Sequence, residues 1–361
     1  MGNVDRRDFL KRSAVTGAGF ALAPVLKLVP GVRVPKVRPA GSLQSLDPSQ
    51  AETPAQFSQA SQASEVLTPQ CLWGAFAQPR GGQNTRQALV DLENQVGRRM
   101  GVHRDYQGMD NDILGKTARW LSDRGTIPYR AFHAWLGSEK QALRWADIAA
   151  GRYDAWLSKQ AADLAAWGKK MYICFHHEPE DDTTGNPRSQ TLGNIGCGTS
   201  ADYRAAYNHV RQVFRNATNL RWVAAFMSPT YLGNNGGPGA WMPSNFDIVG
   251  VDGYSRFPCT GNFKTFEQKF LPARKYADSV RKPLAIPEWG CVEMNSCHHG
   301  GGDALGKAKW ITEAARMMKS WPQLIFVSYS NETDGPLNFR VTSTLPSQLA
   351  FAAAGKDPYF N

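Results

Sequence analysis

Two glutamates stand where they could act together. Glu178 lies in His176-His177-Glu178-Pro179-Glu180 and Glu288 in Pro287-Glu288-Trp289-Gly290, each directly after a short apolar run. A facing pair of carboxyl groups can divide one reaction between them: one protonates a leaving oxygen, and the other attacks or stabilises the electron-poor carbon. At a glycosidic bond a gap of about 5–5.5 Å gives retention through a covalent intermediate, and a wider gap admits an inverting water. The acid has to keep its proton near neutral pH, which partial burial or a negative neighbour favours. A single Glu at the end of an apolar run is usually a solvated loop carboxylate. Two of them, each beside imidazole or aromatic groups, read as a working pair. Glu180, Asp181 and Asp182 read as a solvated acidic turn, and Glu293 lies past the turn expected at Gly290.

The pairs His176-His177 and His298-His299 raise the question of a metal. Glu178 is followed by Pro179, Glu180 and Asp181, so there is no H-E-x-x-H pattern, and no C-x2-C spacing occurs. Neither a metal nor a cofactor is expected. His133, Trp135, Trp241, Phe257, Trp289 and Tyr329 fall near strand ends or in loops. Flat rings of this kind suit the apolar faces of sugars, although each taken alone could equally be core. As a set, at least two are expected to touch substrate.

Residues so far apart need a scaffold. Apolar runs at 71–77, 100–106, 127–136, 171–177, 222–227, 246–251, 284–286 and 324–329 alternate with helical patterns. Leu89, Leu92 and Val96 mark one helical face; Leu114, Ala118 and Leu121 mark a second. Tyr153, Trp156, Leu157, Leu164 and Trp167 line a third, and Tyr203, Tyr207, Val210 and Phe214 a fourth. Trp310, Ala314, Met317 and Trp321 line the helix before the last run. Spacings of three, four and seven are those of a half-buried helix. Eight such strand–helix alternations predict an α/β protein of the (β/α)8 TIM-barrel class. An open doubly wound sheet usually carries a glycine-rich turn after its first strand, and Ala75-Phe76-Ala77-Gln78-Pro79 is not one. In a barrel, the ends of strands four and seven face each other across the mouth, which would bring Glu178 and Glu288 together.

The sequence also resembles glycoside hydrolase family 26. The segments that carry the resemblance are Asp147 to Asp154, His177-Glu178, Val251-Asp252-Gly253-Tyr254 and Pro283 to Gly290, in order and over most of the domain. The resemblance implies a retaining, endo-acting hydrolase of β-mannan, β-glucan or β-xylan. It assigns Glu178 as acid/base, Glu288 as nucleophile, His177 as the residue before the acid, and Tyr254 as a hydrogen-bond partner of the nucleophile. Pro179-Glu180 departs from the Asn-Gly common in mannanases and leaves the sugar open. The alternatives from other classes are a non-catalytic carbohydrate-binding barrel and a polysaccharide lyase or deacetylase.

The chain ends and the charge complete the reading. Arg6-Arg7-Asp8-Phe9-Leu10-Lys11 and the weakly apolar run Ala14 to Leu26 resemble a twin-arginine export signal, which implies a secreted or periplasmic protein. Residues 1–40 are expected to be export segment, 41–69 a disordered Ser/Gln/Pro-rich linker, and 70–361 the catalytic domain, a monomer. Of the formal +10 charge, eight basic and two acidic residues lie in 1–40, so +4 belongs to the remainder. So mild a balance gives no reason to expect nucleic acid as a partner, and no run is long enough to span a bilayer. In an oxidising compartment Cys291 could pair with Cys297, and Cys197 with Cys259, while Cys174 should be a buried free thiol.

Overall fold

Eight parallel strands close into a barrel: β1 (Leu72–Ala77), β2 (Val102–Gly108), β3 (Ile127–His133), β4 (Met171–Phe175), β5 (Leu220–Met227), β6 (Ile248–Ser255), β7 (Leu284–Cys291) and β8 (Leu324–Asn331). Each pairs with its neighbours in sequence, and β1 closes on β8. The computed structural model describes residues 71–137, 141–186, 196–256, 264–293 and 305–360. The expected export segment and linker lie outside them, as do Phe257, Cys259, Cys297, His298 and His299.

The helical layer follows the periodicity of the sequence. It comprises α1 (Thr85–Val96), α2 (Lys116–Asp123), α3 (Asp154–Trp167), α4 (Ser200–Val213), α5 (Pro238–Trp241), α6 (Phe266–Ser279), α7 (Gly306–Met318) and α8 (Leu345–Gly355). Asn84, Thr199 and Thr265 cap α1, α4 and α6 in reciprocal capping boxes with Gln87, Asp202 and Gln268, so three helix starts are fixed by local chemistry. The stripe Tyr203, Tyr207, Val210 and Phe214 is fully buried against the barrel. After β5 the helical layer thins to 3-10 turns and the four-residue α5.

Inside the barrel, Val102, Tyr129, Ala131, Tyr172, Cys174, Val223, Ala225, Ala285 and Phe326 form a small apolar plug. It fills the lower interior, so polar side chains on the same strands can gather only above it, at the C-terminal rim. Cys174 is the buried thiol expected, its pKa pushed up to about 12 by burial. Cys197 and Cys291 are buried thiols too, and no disulfide occurs among the described residues.

Two strand ends differ from the sequence reading. β6 continues through Asp252 and Tyr254 to Ser255, and β7 through Glu288 to Cys291, so Gly290 lies in a strand rather than a turn. β7 also holds one extra residue. Gly250 pairs with Ala285 but Asp252 with Glu288, and on the other side Val327 pairs with Ile286 but Tyr329 with Trp289. Both neighbours place this bulge around Pro287, whose missing N–H makes it suited to a break in the ladder. Side chains alternate in and out along a strand. Counting from the inward Ala285, an unbroken strand would point Pro287 into the barrel and Glu288 out of it; the bulge reverses that phase.

Candidate active site

Glu288 is only 2% exposed, and three donors converge on it. Arg104 Nη1 lies 2.9 Å from Oε1, Tyr106 OH donates to the same oxygen, and Tyr254 OH donates to Oε2. Arg104 is itself locked: Nη1 donates to Pro287 O at 2.9 Å and Nη2 to Ser330 Oγ at 3.3 Å. Its guanidinium also lies against the rings of Tyr106 and Phe76. Burial works to lower the Arg104 pKa, but the charge of Glu288, aided by Tyr254 and Asp252, outweighs it and the net shift is upward. The cation is therefore fixed beside the carboxylate, and charge-assisted bonds of this kind are the strong ones.

Glu178 reaches the rim by a different device. β4 stops at Phe175 because His176 and Glu178 both take left-handed backbone conformations, with φ of 52° and 46°. Conformations of this kind cost about 1–3 kcal/mol each and persist where surrounding contacts impose them. Here the His176 N–H donates to Phe132 O at 2.8 Å and the Glu178 N–H to Ala225 O at 3.0 Å. His176 Nδ1 accepts from the Ala134 N–H and from Trp145 Nε1, both at 3.2 Å. Since Nδ1 is an acceptor, the proton sits on Nε2, 3.0 Å from Asp182 Oδ2. His176 is thus a strut between the loop and the short helix Trp145–Ala149 rather than a group facing substrate.

His177 joins the two glutamates. Its Nδ1 lies 3.3 Å from Asp252 Oδ2 and 3.7 Å from Glu288 Oε1. Ligand-type atoms of His177, Glu178 and Asp252 all lie within 4.8 Å of one another. Both carboxylates therefore border one imidazole. Behind it stands His133, with ring centroids 4.8 Å apart. Burial, with His177 and His176 adding to it, holds the His133 pKa far below its usual value, so this ring stays neutral.

The structure thus gathers Glu178, Glu288, His177, Tyr254 and His133 at one rim. Trp135 is half-buried in a two-residue strand just after β3. Three expected platforms are elsewhere: strand alternation turns two of them away from the mouth, and the third lies on α5. Trp289 follows the inward Glu288 and therefore faces the helices, fully buried among Trp73, Trp310 and Tyr329. Tyr329 points outward from β8 and donates to Phe339 O at 2.8 Å. Trp241 packs on Trp145 and Tyr203 and donates to Asn235 O at 2.9 Å. None of the three is a sugar platform.

The acidic turn also departs from expectation, since Glu180 is 3% exposed and Asp182 is 8% exposed. Pro179 starts a 3-10 turn that folds these carboxyls inward, where Glu180 Oε1 accepts from the Met227 N–H at 3.1 Å and from Thr230 Oγ at 2.5 Å. Burial drives the Glu180 pKa well above the usual carboxyl range, although the Thr230 bond opposes this. Glu293 is likewise structural: its Oε1 accepts from Ser347 Oγ at 3.0 Å and lies 3.7 Å from Lys307 Nζ.

Arg104, Tyr106 and Asp252 are site residues that the sequence reading passed over as chemistry. A signal existed for the first two: a charge and a phenol two residues apart, so on one face of the strand Val102–Gly108. A buried arginine has to have a counter-charge, so such a strand asks for a carboxylate across the barrel.

No protein-family model matches the chain. Among curated proteins, endoglucanase H of Acetivibrio thermocellus is 25% identical over 272 residues, which is 70% of this chain and 29% of that protein. The chain thus spans under a third of that relative's length. Among solved structures, the catalytic domain of a Bacillus sp. family 26 endo-β-1,4-mannanase superposes with a TM-score of 0.53 at 17% identity, covering 81% of this chain and 87% of that one. A family 26 protein from a Muricauda species gives 0.54 at 14% identity, covering 82% and 88%. At these identities the structural likeness is one of fold: a closed (β/α)8 barrel shared with these family 26 structures.

Proposed function

We propose that the chain is a retaining, endo-acting glycoside hydrolase that cleaves a β-linked polysaccharide by double displacement. One observation carries the reading: a carboxylate held by Arg104, Tyr106 and Tyr254 shares an imidazole neighbour with a second carboxyl at the same rim. The names of the compared proteins, an endoglucanase and a mannanase, support the same class of substrate.

In this mechanism a Glu288 oxygen attacks the anomeric carbon while Glu178 gives its proton to the departing glycosidic oxygen. The sugar is then esterified to Glu288, and Glu178 is a carboxylate. That carboxylate takes a proton from water as its oxygen attacks the same carbon, which frees Glu288 and restores the acid. Arg104 and the two phenols fix which Glu288 lone pair meets the carbon, so little reorganisation is left for the reaction itself.

The two glutamates are separable by substrate. An activated aryl glycoside needs no acid, so Glu178→Ala should lose most activity on polysaccharide yet still form the glycosyl-enzyme from the aryl substrate. Added azide should then release a product of retained configuration. Glu288→Ala should fail on both substrates. Near wild-type polysaccharide hydrolysis by Glu178→Ala, or retained product from Glu288→Ala with azide, would overturn these roles.

A second reading follows from the convergence of His177, Glu178 and Asp252, whose spacing could hold a divalent cation in a hydrolytic deacetylase. It leaves the three donors around Glu288 without a task. Exhaustive chelation of the wild-type protein separates the two readings: double displacement leaves the rate unchanged, and a metal-dependent reaction stops.

A further inference from the structure

Two residues beyond Tyr254, just past the end of β6, stands a cation. The Arg256 guanidinium lies 4.7 Å from the centre of the Tyr254 ring and 6.0 Å from that of Phe339. Tyr254 is the phenol that donates to Glu288, so Arg256 stands one ring away from the carboxylate assigned to attack. The two cations near the nucleophile are deployed differently. Arg104 is fully buried and bonded to Glu288, Pro287 and Ser330. Arg256 is half-buried at the rim and forms no ion pair among the described residues.

Its surroundings add positive charge. Lys264 lies just before α6 and is exposed, and Lys269 is half-buried in its first turns. The carbonyl of Lys264 is tied to the end of β6 by Ser255 Oγ at 2.6 Å and to α7 by Trp310 Nε1 at 3.0 Å, so this backbone is anchored. The Lys269 pKa is lowered first by burial, then by the charges of Arg256 and Lys264, so both of those cations act on it. Glu267 is the one acid between the two lysines, and an anion brought from outside would offset the remaining positive charge. A guanidinium resting on a ring by its face keeps its N–H edge for a planar partner, and a carboxylate fits that fork with two parallel bonds.

We propose that the polysaccharide bound in this cleft carries carboxylate groups, as uronic acid units do, and that Arg256 recognises one of them beside the reacting sugar. The inference rests on the hydrolase reading of the same cleft but concerns the substrate's charge rather than the bond cleaved. It assigns Arg256 a role in specificity and none in bond cleavage.

The test compares polymers that differ only in charge. A linear β-glucan and a linear β-mannan are each used as such and after oxidation of part of their C6 hydroxymethyl groups to carboxylates. Wild-type kcat/KM on the better backbone should be roughly tenfold higher for its oxidised form, the worth of one charge-assisted bidentate contact. The preference should shrink at high salt, because the contact is at the rim. Arg256→Gln should bring the ratio of oxidised to neutral near one, and Arg256→Lys should keep part of it. The ratio is internal to each variant, so a general loss of activity from a disturbed Tyr254 cancels. A wild-type ratio at or below one, or a ratio that survives Arg256→Gln, overturns the proposal. Retardation in native gels containing each polymer separates the two readings. If no polymer is cleaved but the oxidised forms retard the wild type and not Arg256→Gln, the hydrolase reading fails and anion recognition stands.

Discussion

At the scale of single residues, the site is organised around Glu288. Tyr254 OH donates to Oε2 and lies 2.8 Å from Ser330 Oγ, while Arg104 and Tyr106 hold Oε1. Each carboxylate oxygen therefore has its own donors, and removing one should leave the other in place. On the hydrolase reading, Tyr254→Phe deletes a hydrogen bond to a charged group worth about 1.5–3 kcal/mol. If that bond acts in the transition state, kcat should fall roughly 10- to 100-fold with KM nearly unchanged. The melting temperature should move little, because the ring keeps its contacts with Phe339 and Arg256. A variant that melts earlier but turns over normally would make Tyr254 a packing residue instead. The imidazoles divide labour in the same way: His176 is held as a strut by the Trp145 and Ala134 donors, and His177 lies between carboxylates.

At the scale of elements, β7 matters most. One added residue near Pro287 turns Glu288 into the barrel and Trp289 out of it. That outward indole has Tyr329 at 4.9 Å, Trp73 at 5.5 Å and Trp310 at 5.8 Å between ring centroids, a cluster joining β1, β8 and α7. Trp289→Ala should accordingly act on stability. Emptying so large a buried site costs about 3–5 kcal/mol, which should appear as a clear drop in melting temperature and in the denaturant midpoint. Substrate affinity of the folded fraction should be close to that of the wild type. Unchanged melting with weakened polysaccharide binding would return this ring to the cleft. The strained end of β4 is the complementary element, since two left-handed residues there carry Glu178 above the interior plug.

At the scale of the whole molecule, two buried imidazoles should make the fold lose stability in acid. His103 is fully buried with Nδ1 at 2.9 Å from Ala75 O, and burial lowers its pKa from 6.5 to about 4. The unfolded chain therefore binds a proton at a pH where the folded one does not. Above about pH 6.5 both states are neutral and the group contributes nothing that varies; as pH falls from about 6.5 towards 4, protons favour the unfolded chain and stability is lost. Below about 4 both states are charged and the loss levels off. The shift corresponds to roughly 3 kcal/mol across that window. His133, depressed in the same direction, adds to it. Melting curves between pH 7.5 and 4.5 should show this fall, and His103→Gln should flatten it. Equal slopes for wild type and variant would exclude His103 as a source.

The sequence by itself determined the eight-fold strand–helix alternation, because periods of two and 3.6 are written in the order of apolar residues. It also pointed to one rim for Glu178 and Glu288, since the C-terminal ends of all the strands of a barrel open on one mouth. The faces of individual side chains were a different matter. Trp289, Tyr329 and Trp241 looked like platforms because an aromatic near a strand end is the same word in sequence whether it points in or out. Only the paired neighbours of β7 locate its bulge and so decide that Glu288 is inside and Trp289 is not. Glu180 and Asp182 looked solvated because acidic residues after a proline usually are; the Met227 N–H and Thr230 that hold Glu180 come from a distant segment, and His176 meets Asp182 only because the backbone turns back at the end of β4. Arg104 and Tyr106 reach Glu288 across more than 180 positions of chain, a distance that local pattern cannot bridge. Local chemistry sets the period of each element. Which side chains touch depends on register and closure, and those exist only once all eight strands are paired.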